Sequence, residues 1–255
     1  MESADMLGTG VLVAAGLALV GWAASYWRRS AYTPAQTFFF AFNFCVARLL
    51  WRAHVSRPLP VAPGQGAVIV CNHRSSVDPA FIAVSANRLV HWLVAREYCE
   101  HPFFGWFLQL CEVVPVGRGG VDTAATKLAI RYAQEGGLVG LFPEGRINTT
   151  DQLLLPGRPG AAMIALKARV PVIPCYVSGS PYDGTPLGCM TMPAKVRLQV
   201  GRPIDLSPYY GRENDRELIE DLTRRLLLEI ARLAGHPDFR PQLAGRFYKP
   251  GLADD

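Results

Sequence analysis

Residues 67–87 have the sequence AVIVCNHRSSVDPAFIAVSAN, and the order of apolar and polar residues in this stretch decides the fold. Five apolar residues come first, a polar turn follows, and Asp78-Pro79 then precedes a second apolar segment. A short apolar run bounded by polar residues is typical of a buried strand, and proline is favoured at the first position of a helix. The stretch therefore predicts a strand, a turn and a helix, which together form the repeating unit of an α/β layer.

The same alternation of strand and helix continues to residue 235. Further strands are predicted at VHWLVA (90–95), VVPV (113–116), LVGLF (138–142), PVIPCYV (171–177) and KVRLQV (195–200), with helices around 103–110, 121–137, 158–169 and 212–235. The prolines of residues 171–177 place that strand at or near a sheet edge, because proline cannot donate to a ladder. We expect one α/β domain over residues 58–235, with a layered, mostly parallel sheet flanked by helices.

The apolar run of residues 7–27 contains no charged residue and is long enough to cross a bilayer as a helix. Acidic residues precede the run, whereas Arg28 and Arg29 follow it. The positive-inside rule then places the domain on the cytosolic side of the cytoplasmic membrane. A cleaved signal peptide is the alternative, but the residues before its apolar part should be basic. We expect a transmembrane anchor over residues 1–30.

A second apolar segment, TFFFAFNFCVARLLWRAHV, covers residues 37–55 and carries Arg48 and Arg52 near its end. Because it is short for a crossing and has a basic edge, residues 31–57 are expected to form a helix that lies in the membrane interface or is buried against the domain. Residues 236–255 contain proline, glycine and arginine and are expected to be an irregular tail. The full prediction is an α/β fold with N-terminal membrane helices.

Composition limits the classes of partner and ligand. The chain has 255 residues and 50% hydrophobic content, which is enough for one sizeable core. The net charge is +5, but the arginines do not gather in one run, so nucleic acid is not expected as a partner. The six cysteines and five histidines show no spacing typical of disulfides or metal ligands, so no metal site is expected.

Three polar clusters directly follow predicted strands, at residues 72–78, 117–120 and 143–146. In α/β sheets, binding sites form at the carboxyl ends of the strands. The coincidence of the three clusters with that edge of the sheet indicates an active site.

The first cluster contains a candidate acid–base pair, His73 and Asp78. A bend in the strand-to-helix turn can bring the carboxylate onto one imidazole nitrogen, which leaves the other nitrogen free to accept a proton in general-base catalysis. The alternative is structural, with Asp78-Pro79 as an ordinary helix start and His73 as a loop residue. The residues alone leave both interpretations open.

The other two clusters contain candidate binding residues. Arg118 precedes two glycines and a predicted helix, and helix N–H groups with a guanidinium can form an anion site. An ordinary turn with a solvated arginine is equally compatible with this pattern. Glu144 and Arg146 could form a local ion pair, although polar side chains that follow a buried strand are more often functional than such residues elsewhere.

Four motifs together resemble those of one enzyme family. NHRSSVD (72–78) is similar to the N-H-x-x-x-x-D signature of the glycerolipid acyltransferases, the superfamily of 1-acylglycerol-3-phosphate and glycerol-3-phosphate acyltransferases. PFFGWFLQLCEVVPVGR (102–118) resembles the family's P-F-x-G…(I/V)-x-R segment, FPEGR (142–146) its F-P-E-G motif, and VPVIPCYVSGS (170–180) its V-P-(I/V)-(I/V)-P block. All four occur in the family's order.

The resemblance implies roles for eight residues. His73 would be the general base and Asp78 its orienting partner. The other six would bind substrate: Arg118 and Arg146 at the acceptor phosphate, Glu144 at an acceptor hydroxyl or in shaping the loop with Gly145, Pro174 in the floor of the site, and Arg96 at a basic position after the second strand. The commonest family form is F-P-E-G-T-R, whereas here Arg146 follows Gly145 directly, so the identity of the acceptor stays open.

By this resemblance the chain would be an O-acyltransferase of glycerophospholipid synthesis. It would move a fatty acyl group from acyl-CoA or acyl carrier protein to a hydroxyl of a glycerophosphate acceptor, and 1-acylglycerol-3-phosphate (lysophosphatidic acid) is the acceptor expected first. Another lysophospholipid, such as lysophosphatidylethanolamine, or glycerol-3-phosphate is the alternative. Transfer would be direct and would need no cofactor, and the expected partners are the donor, the acceptor and membrane lipids.

Two further interpretations belong to other classes of protein. A serine hydrolase could use Ser75 or Ser76 with His73 and Asp78, but the sequence lacks a G-x-S-x-G elbow. A catalytically inactive lipid-binding protein on the same fold is the second alternative. The intact motif residues argue against that loss of activity.

Overall fold

The computed structural model of the chain describes residues 32–117, 122–185 and 188–245, together with 13, 14, 16–18, 21 and 25. The chain divides into two compact units, Met1–Phe39 and Phe40–Asp255. Most of the apolar run 7–27, on which the predicted transmembrane anchor depends, lies outside the described residues. In the part of the chain that the structure describes, no helix combines the length and the apolar character needed to cross a membrane.

Helix α1 (Pro34–Leu49) begins with a reciprocal cap. The Thr33 hydroxyl accepts a hydrogen bond from the Gln36 N–H at 3.3 Å, and the Gln36 side-chain oxygen accepts one from the Thr33 N–H at 2.9 Å. This exchange satisfies two donors at the helix start, and Pro34 at the first helical position has no donor to satisfy. The start of the helix is therefore encoded by Thr33, Pro34 and Gln36.

The second unit contains a seven-stranded sheet, as far as the described residues show, in the order β1-β7-β6-β2-β5-β3-β4. The strands are β1 (His54–Val55), β2 (Ala67–Cys71), β3 (Val90–Ala95), β4 (Val114–Val116), β5 (Leu138–Leu141), β6 (Val172–Ser178) and β7 (Arg197–Val200). All neighbouring strands are parallel except β6 and β7, which are antiparallel. The prediction of a mostly parallel α/β sheet is therefore confirmed.

Helices cover both faces of this sheet. They are α2 (Asp78–Ala86), α3 (Arg96–Cys99), α4 (Gly105–Leu110), α5 (Thr123–Gln134), α6 (Gly160–Ala168) and α7 (Arg216–Leu233), with 3₁₀ turns at Gly188–Met190 and Ser207–Tyr209. Val68 and Val70 of β2 belong to the core formed with α5, α6 and α7, whereas Ile69 belongs to the core that contains Phe81 of α2. Because β2 is covered on both faces, its sequence is a continuous apolar run rather than an alternating one.

Strand β6 is the third strand from one end of the sheet, between β2 and β7, so of the prediction 'at or near an edge' the edge position itself is wrong. The pairs Val172–Ile204 and Cys175–Val200 leave two residues of β6 opposite three residues of the facing chain, which is a bulge. Pro174 lies in this bulge, where its carbonyl accepts a hydrogen bond from the Gly201 N–H at 2.7 Å. A bulge already interrupts the ladder, so it tolerates a proline that a regular central strand would not.

Candidate active site

The loop between β2 and α2 is fixed to the neighbouring strand β6 by Asn72. The Asn72 side chain, which is buried, accepts a hydrogen bond from the Val177 N–H at 2.7 Å and donates one to the Val177 carbonyl at 2.9 Å. This two-bond contact imitates a strand pairing one residue beyond the end of β2. It therefore sets the position from which the next residue, His73, leaves the sheet.

The structure brings His73 and Asp78 together. The His73 Nδ1 atom lies 3.0 Å from the Asp78 Oδ2 atom, and Asp78 is fully buried. The same Oδ2 atom accepts hydrogen bonds from the N–H groups of Arg74 at 2.6 Å and Ser75 at 2.8 Å. The Asp78 Oδ1 atom accepts one from the Ser180 hydroxyl at 2.6 Å.

The three donors from Arg74, Ser75 and Ser180 decide the tautomer of His73. Both oxygens of Asp78 act as acceptors, so the imidazole must present its Nδ1 proton to the carboxylate. The Nε2 atom then keeps its lone pair and can accept a proton from a bound molecule. The His73 side chain is 15% exposed, so the ring is held by the protein yet accessible at the surface. This is the geometry of a general base with an orienting carboxylate.

The face of the imidazole is held by aromatic rings. Phe142, the first residue of FPEGR, stacks on His73 with ring centroids 3.8 Å apart and an interplanar angle of 6°. Trp92 of β3 stacks on the other side of Phe142, at 4.6 Å and 15°. The three rings form a continuous stack from β3 to the candidate base.

Glu144 supports the backbone of the loop. Its side chain is buried, and its two oxygens accept hydrogen bonds from the N–H groups of His73 at 2.8 Å and Leu155 at 2.9 Å. Burial raises the pKa of the Glu144 carboxyl, and the two N–H donors oppose that shift. Of the two roles expected for Glu144, these contacts favour shaping of the loop over binding of an acceptor hydroxyl.

Arg74 connects the same loop to the segment after β5. Its guanidinium donates to the carbonyl oxygens of Asn148 at 3.1 Å, Thr150 at 2.6 Å and Gln152 at 2.6 Å. The Asn148 N–H in turn donates to the His73 carbonyl at 2.7 Å. Arg74 thus holds residues 148–152 against the loop of the candidate base.

Arg96 and Asp122 form an ion pair beside Gly117, the residue that precedes Arg118 in the sequence. The Arg96 guanidinium lies 3.2 Å from the Asp122 Oδ2 atom, which also accepts a hydrogen bond from the Gly117 N–H at 2.9 Å. The backbone N–H groups of Ala125 and Gly117, and then the Arg96 guanidinium, lower the pKa of the Asp122 carboxyl. Arg118 lies outside the described residues, so its role stays a prediction.

The FPEGR segment turns sharply at Gly145, whose φ of +71° is in the left-handed region that glycine adopts without strain. Arg146 follows, and its Nε atom is buried without a hydrogen-bond partner among the described residues. A buried guanidinium N–H without an acceptor is costly, so this group is available to a bound anion. No group of three or more His, Cys, Asp and Glu side chains in the described part of the chain could hold a metal ion.

Pro174 lies apart from the other predicted site residues. It pairs in register with Val70, before the end of β2, and lines a cleft with Gly201, Arg57 and Arg232. The cleft contains none of the other predicted site residues. The structure therefore does not bring Pro174 together with His73.

Sequence reasoning assigned no role to five residues that hold the base in place: Asn72, Arg74, Trp92, Phe142 and Ser180. Ser180 follows β6, so the rule that polar residues after strands form the site could have found it. Trp92 could not be found in this way, because its contact depends on how β3 and β5 pair. The sequence carries no local signal for the long-range contact made by Arg74.

Comparisons with known proteins identify the family of the chain. A family model described as Acyltransferase matches residues 52–178. The chain is 28% identical over 165 residues to a 1-acyl-sn-glycerol-3-phosphate acyltransferase of Bacillus subtilis, covering 63% of this chain and 79% of that protein. It is 27% identical over 169 residues to a Streptococcus pneumoniae enzyme of the same name, covering 65% of this chain and 60% of that protein.

A solved structure shares the fold. The crystal structure of the 1-acyl-sn-glycerophosphate (LPA) acyltransferase PlsC from Thermotoga maritima matches with a TM-score of 0.57 at 24% identity, covering 74% of this chain and 78% of that chain. The family model spans the segment from the end of α1 to the end of β6, which contains His73, Asp78 and Glu144. The chain therefore belongs to the glycerolipid acyltransferase superfamily and is an acyltransferase.

Proposed function

We propose that this acyltransferase moves a fatty acyl group from acyl-CoA or acyl carrier protein to the free hydroxyl of 1-acyl-sn-glycerol-3-phosphate, giving phosphatidic acid. The observation that carries the proposal is the His73–Asp78 pair, in which four donors fix the carboxylate and leave one imidazole nitrogen free. The names of the relatives from B. subtilis and S. pneumoniae support this acceptor. Another lysophospholipid and glycerol-3-phosphate are the alternative acceptors.

In the proposed reaction, the His73 Nε2 atom removes the proton from the acceptor hydroxyl as its oxygen attacks the thioester carbonyl. Asp78 stabilises the imidazolium that forms, because its carboxylate faces the protonated Nδ1 edge. The tetrahedral intermediate then expels the thiolate, which takes the proton back from Nε2 and leaves as a thiol. The ester is formed without an acyl-enzyme, and neither a metal nor a cofactor takes part.

The serine hydrolase alternative has less support. Ser75 is fully buried, and its N–H group donates to Asp78. Its hydroxyl oxygen accepts a hydrogen bond from the Val77 N–H at 3.4 Å. The Ser76 hydroxyl lies 3.0 Å from the Cys189 sulfur. Both serines therefore serve the shape of the loop in our proposal, and His73 acts on the acceptor directly.

We further propose that basic residues at the strand ends bind the acceptor phosphate. Arg146 offers a buried N–H without a partner among the described residues, and Arg96 contacts Asp122, which also binds the N–H of Gly117. A guanidinium can bind a phosphate with two parallel hydrogen bonds, which a single ammonium group cannot do. Arg118 joins this group on the strength of the motif alone.

The acceptor is a membrane lipid, so the domain must work at a membrane surface. Exposed apolar side chains occur at Phe42, Phe44 and Leu49 of α1 and at Phe103 and Trp106 near α4. Exposed aromatic residues are typical of membrane-contacting surfaces. We propose that the domain sits on the cytosolic face of the membrane, held by the predicted anchor. Protease added to sealed inside-out vesicles should digest the domain, and protection of the domain there would refute this orientation.

The acceptor and the mechanism can be tested together. Purified full-length protein is incubated with labelled acyl-CoA, or acyl carrier protein loaded with the same chain, and with lysophosphatidic acid, lysophosphatidylethanolamine or glycerol-3-phosphate. We expect transfer to lysophosphatidic acid, and we expect His73→Ala to lower kcat by about 10²–10⁴-fold or more. His54→Ala, at an exposed histidine of β1, is the matched control and should keep full activity.

The possible outcomes separate the competing functions. Transfer to a different acceptor would correct the substrate but keep the chemistry. Release of free fatty acid without transfer would indicate a hydrolase, and binding of lipid without either reaction would indicate an inactive lipid-binding protein. Near-normal turnover in His73→Ala would refute the general-base mechanism.

A further inference from the structure

Trp92 lies flat across the neighbouring strand because that strand has a glycine opposite it. Trp92 of β3 pairs in register with Gly140 of β5, and the residue is 5% exposed. A Cβ atom added to Gly140 would lie 2.6 Å from the Cδ2 and Cε3 atoms of Trp92, closer than real Cβ contacts allow. A glycine inside a strand often marks a close approach of this kind. The position of the indole is therefore determined by the pairing of β3 with β5 and by the glycine at residue 140.

The buried indole supports the candidate base through one intermediate ring. Phe142 lies two residues after Gly140, stacked on Trp92 at 4.6 Å and 15°, and its other face carries His73 at 3.8 Å and 6°. All three rings are nearly parallel, so displacement of the first ring removes the support of the second. The stack thus connects a fixed point in the sheet to the imidazole.

The polar contacts of His73 do not fix the plane of its ring, and the stack with Phe142 does. Glu144 and Asn148 hold the His73 backbone, and Asp78 holds one edge of the ring. A single hydrogen bond at the Nδ1 edge still allows the ring plane to swing about that bond. The face contact with Phe142 fixes the plane and so sets the direction in which the Nε2 lone pair points.

We propose that Trp92 is a positioning residue for His73, acting through Phe142. The inference rests on the proposed function, in which the His73 Nε2 atom must meet the acceptor hydroxyl. The same stack faces the imidazolium that forms when the proton is transferred, and an aromatic face attracts a cation. Trp92 touches neither substrate in this account, so its removal should affect the chemical step rather than binding.

The first test compares Trp92→Leu with Trp92→Phe and with Trp51→Leu. Trp51 is the matched control, since it is a buried tryptophan of the same core cluster that contacts Phe81 rather than Phe142. We expect Trp92→Leu to lower kcat roughly ten-fold or more with both KM values within about two-fold, because small displacements of a reacting group are costly. Trp92→Phe restores a flat ring and should keep kcat within about three-fold of wild type.

Trp51→Leu should lower the melting temperature as much as Trp92→Leu while keeping kcat within about two-fold of wild type. Equal loss of kcat in the two leucine variants would overturn the proposal, because it would show a general effect of core damage. Unchanged kcat in a folded Trp92→Leu protein would overturn it as well.

A second measurement tests the position of the His73 ring directly, and it needs neither a substitution at Trp92 nor an activity assay. The ring protons of His73, assigned by their absence in His73→Ala, should resonate upfield of those of an exposed histidine, because they lie over the face of Phe142. Gly140→Ala, which pushes a methyl group into the indole, should move them toward the exposed value. Exposed-type shifts in the wild-type protein would overturn the stack itself. If wild type shows the upfield shifts but no acyl transfer, the proposed function fails and the geometry of the stack still holds.

Discussion

Replacing Glu144 with glutamine tests whether this carboxylate holds the loop of the candidate base. Glu144 is 1% exposed, and each of its oxygens accepts a backbone hydrogen bond, from His73 at 2.8 Å and from Leu155 at 2.9 Å. Glutamine has one acceptor oxygen and one donor NH₂ group. In either orientation of the amide, one backbone N–H therefore faces another donor.

The size of the loss follows from that single mismatch. A hydrogen bond to a charged group contributes about 1.5–3 kcal/mol, and a buried N–H left without an acceptor costs about 1–3 kcal/mol. Part of this is offset, because burial raises the pKa of Glu144 and the neutral amide avoids the cost of burying a charge. We expect a net loss of roughly 1–3 kcal/mol in the free energy of unfolding and a fall in Tm of about 5 °C.

The effect on catalysis should exceed the effect on stability. When the amide NH₂ group faces the His73 N–H, that N–H loses its acceptor and the base itself shifts, so kcat should fall about 10–100-fold. Thermal unfolding and steady-state kinetics on the same samples measure both quantities. Glu135→Gln is the matched control, since Glu135 is exposed and forms only a long ion pair with Arg131, at 4.0 Å, among the described residues. It should change neither quantity.

Three results would contradict this account of Glu144. Wild-type stability and kcat in Glu144→Gln would show that the two hydrogen bonds do not matter. A stable variant with a raised KM for the acceptor alone would restore the other role expected from the sequence, which is contact with an acceptor hydroxyl. A similar loss in Glu135→Gln would trace the effect to the change in net charge.

Three further predictions follow from other parts of the structure. Arg74→Ala should make residues 148–152 more sensitive to limited proteolysis and lower kcat about five-fold, because it removes the donor to three carbonyl groups. Equal cleavage of the variant and the wild-type protein would show that Arg74 does not hold this segment in place. Maleimide should modify the exposed Cys45 in the native protein and leave Cys175 unmodified at pH 7.5, because burial raises the pKa of the Cys175 thiol to about 12. Mass spectrometry identifies the modified residue, and labelling of Cys175 in the native protein would contradict its burial. Asp122 caps α5, because its side chain accepts a hydrogen bond from the Ala125 N–H. Its pKa is lowered, so its contribution to stability is present above its unfolded pKa of about 3.9 and is lost as the pH falls through the lower folded value. Asp122→Ala should therefore reduce the dependence of unfolding on pH below about pH 4, and an unchanged profile would show that this cap contributes nothing.

Strands buried on both faces could be predicted from the sequence because their apolar runs are continuous. The prediction for β3 matches the observed bounds of residues 90–95, and β2 also begins and ends where it was expected. Strand β1 was missed, since it has only two residues, His54 and Val55, inside a segment expected to be helical. Its pairing with β7 is decided by the tertiary structure and not by local preference.

The candidate base and its carboxylate could be located because both lie in one turn after a strand. His73 and Asp78 are five residues apart, so local geometry alone allows their contact. The supporting contacts could not be located, because they join distant segments: Trp92 reaches His73 only through the pairing of β3 with β5 and the ring of Phe142. Pairing register is a property of the assembled sheet. Because β3 and β5 are both apolar runs, their sequences are compatible with more than one register.

The strand order explains why the base follows β2 and not another strand. β2 is the central strand of the described sheet, with β6 on one side and β5 then β3 on the other. Because parallel strands end at the same edge, a residue after β2 can be held from both sides. Ser180 after β6 fixes the carboxylate, Glu144 after β5 fixes the His73 backbone, and Trp92 in β3 fixes the ring plane through Phe142. A base after β4, at the edge, could be supported from one side only, so the central position is what allows one imidazole to be constrained in its backbone, its edge and its face.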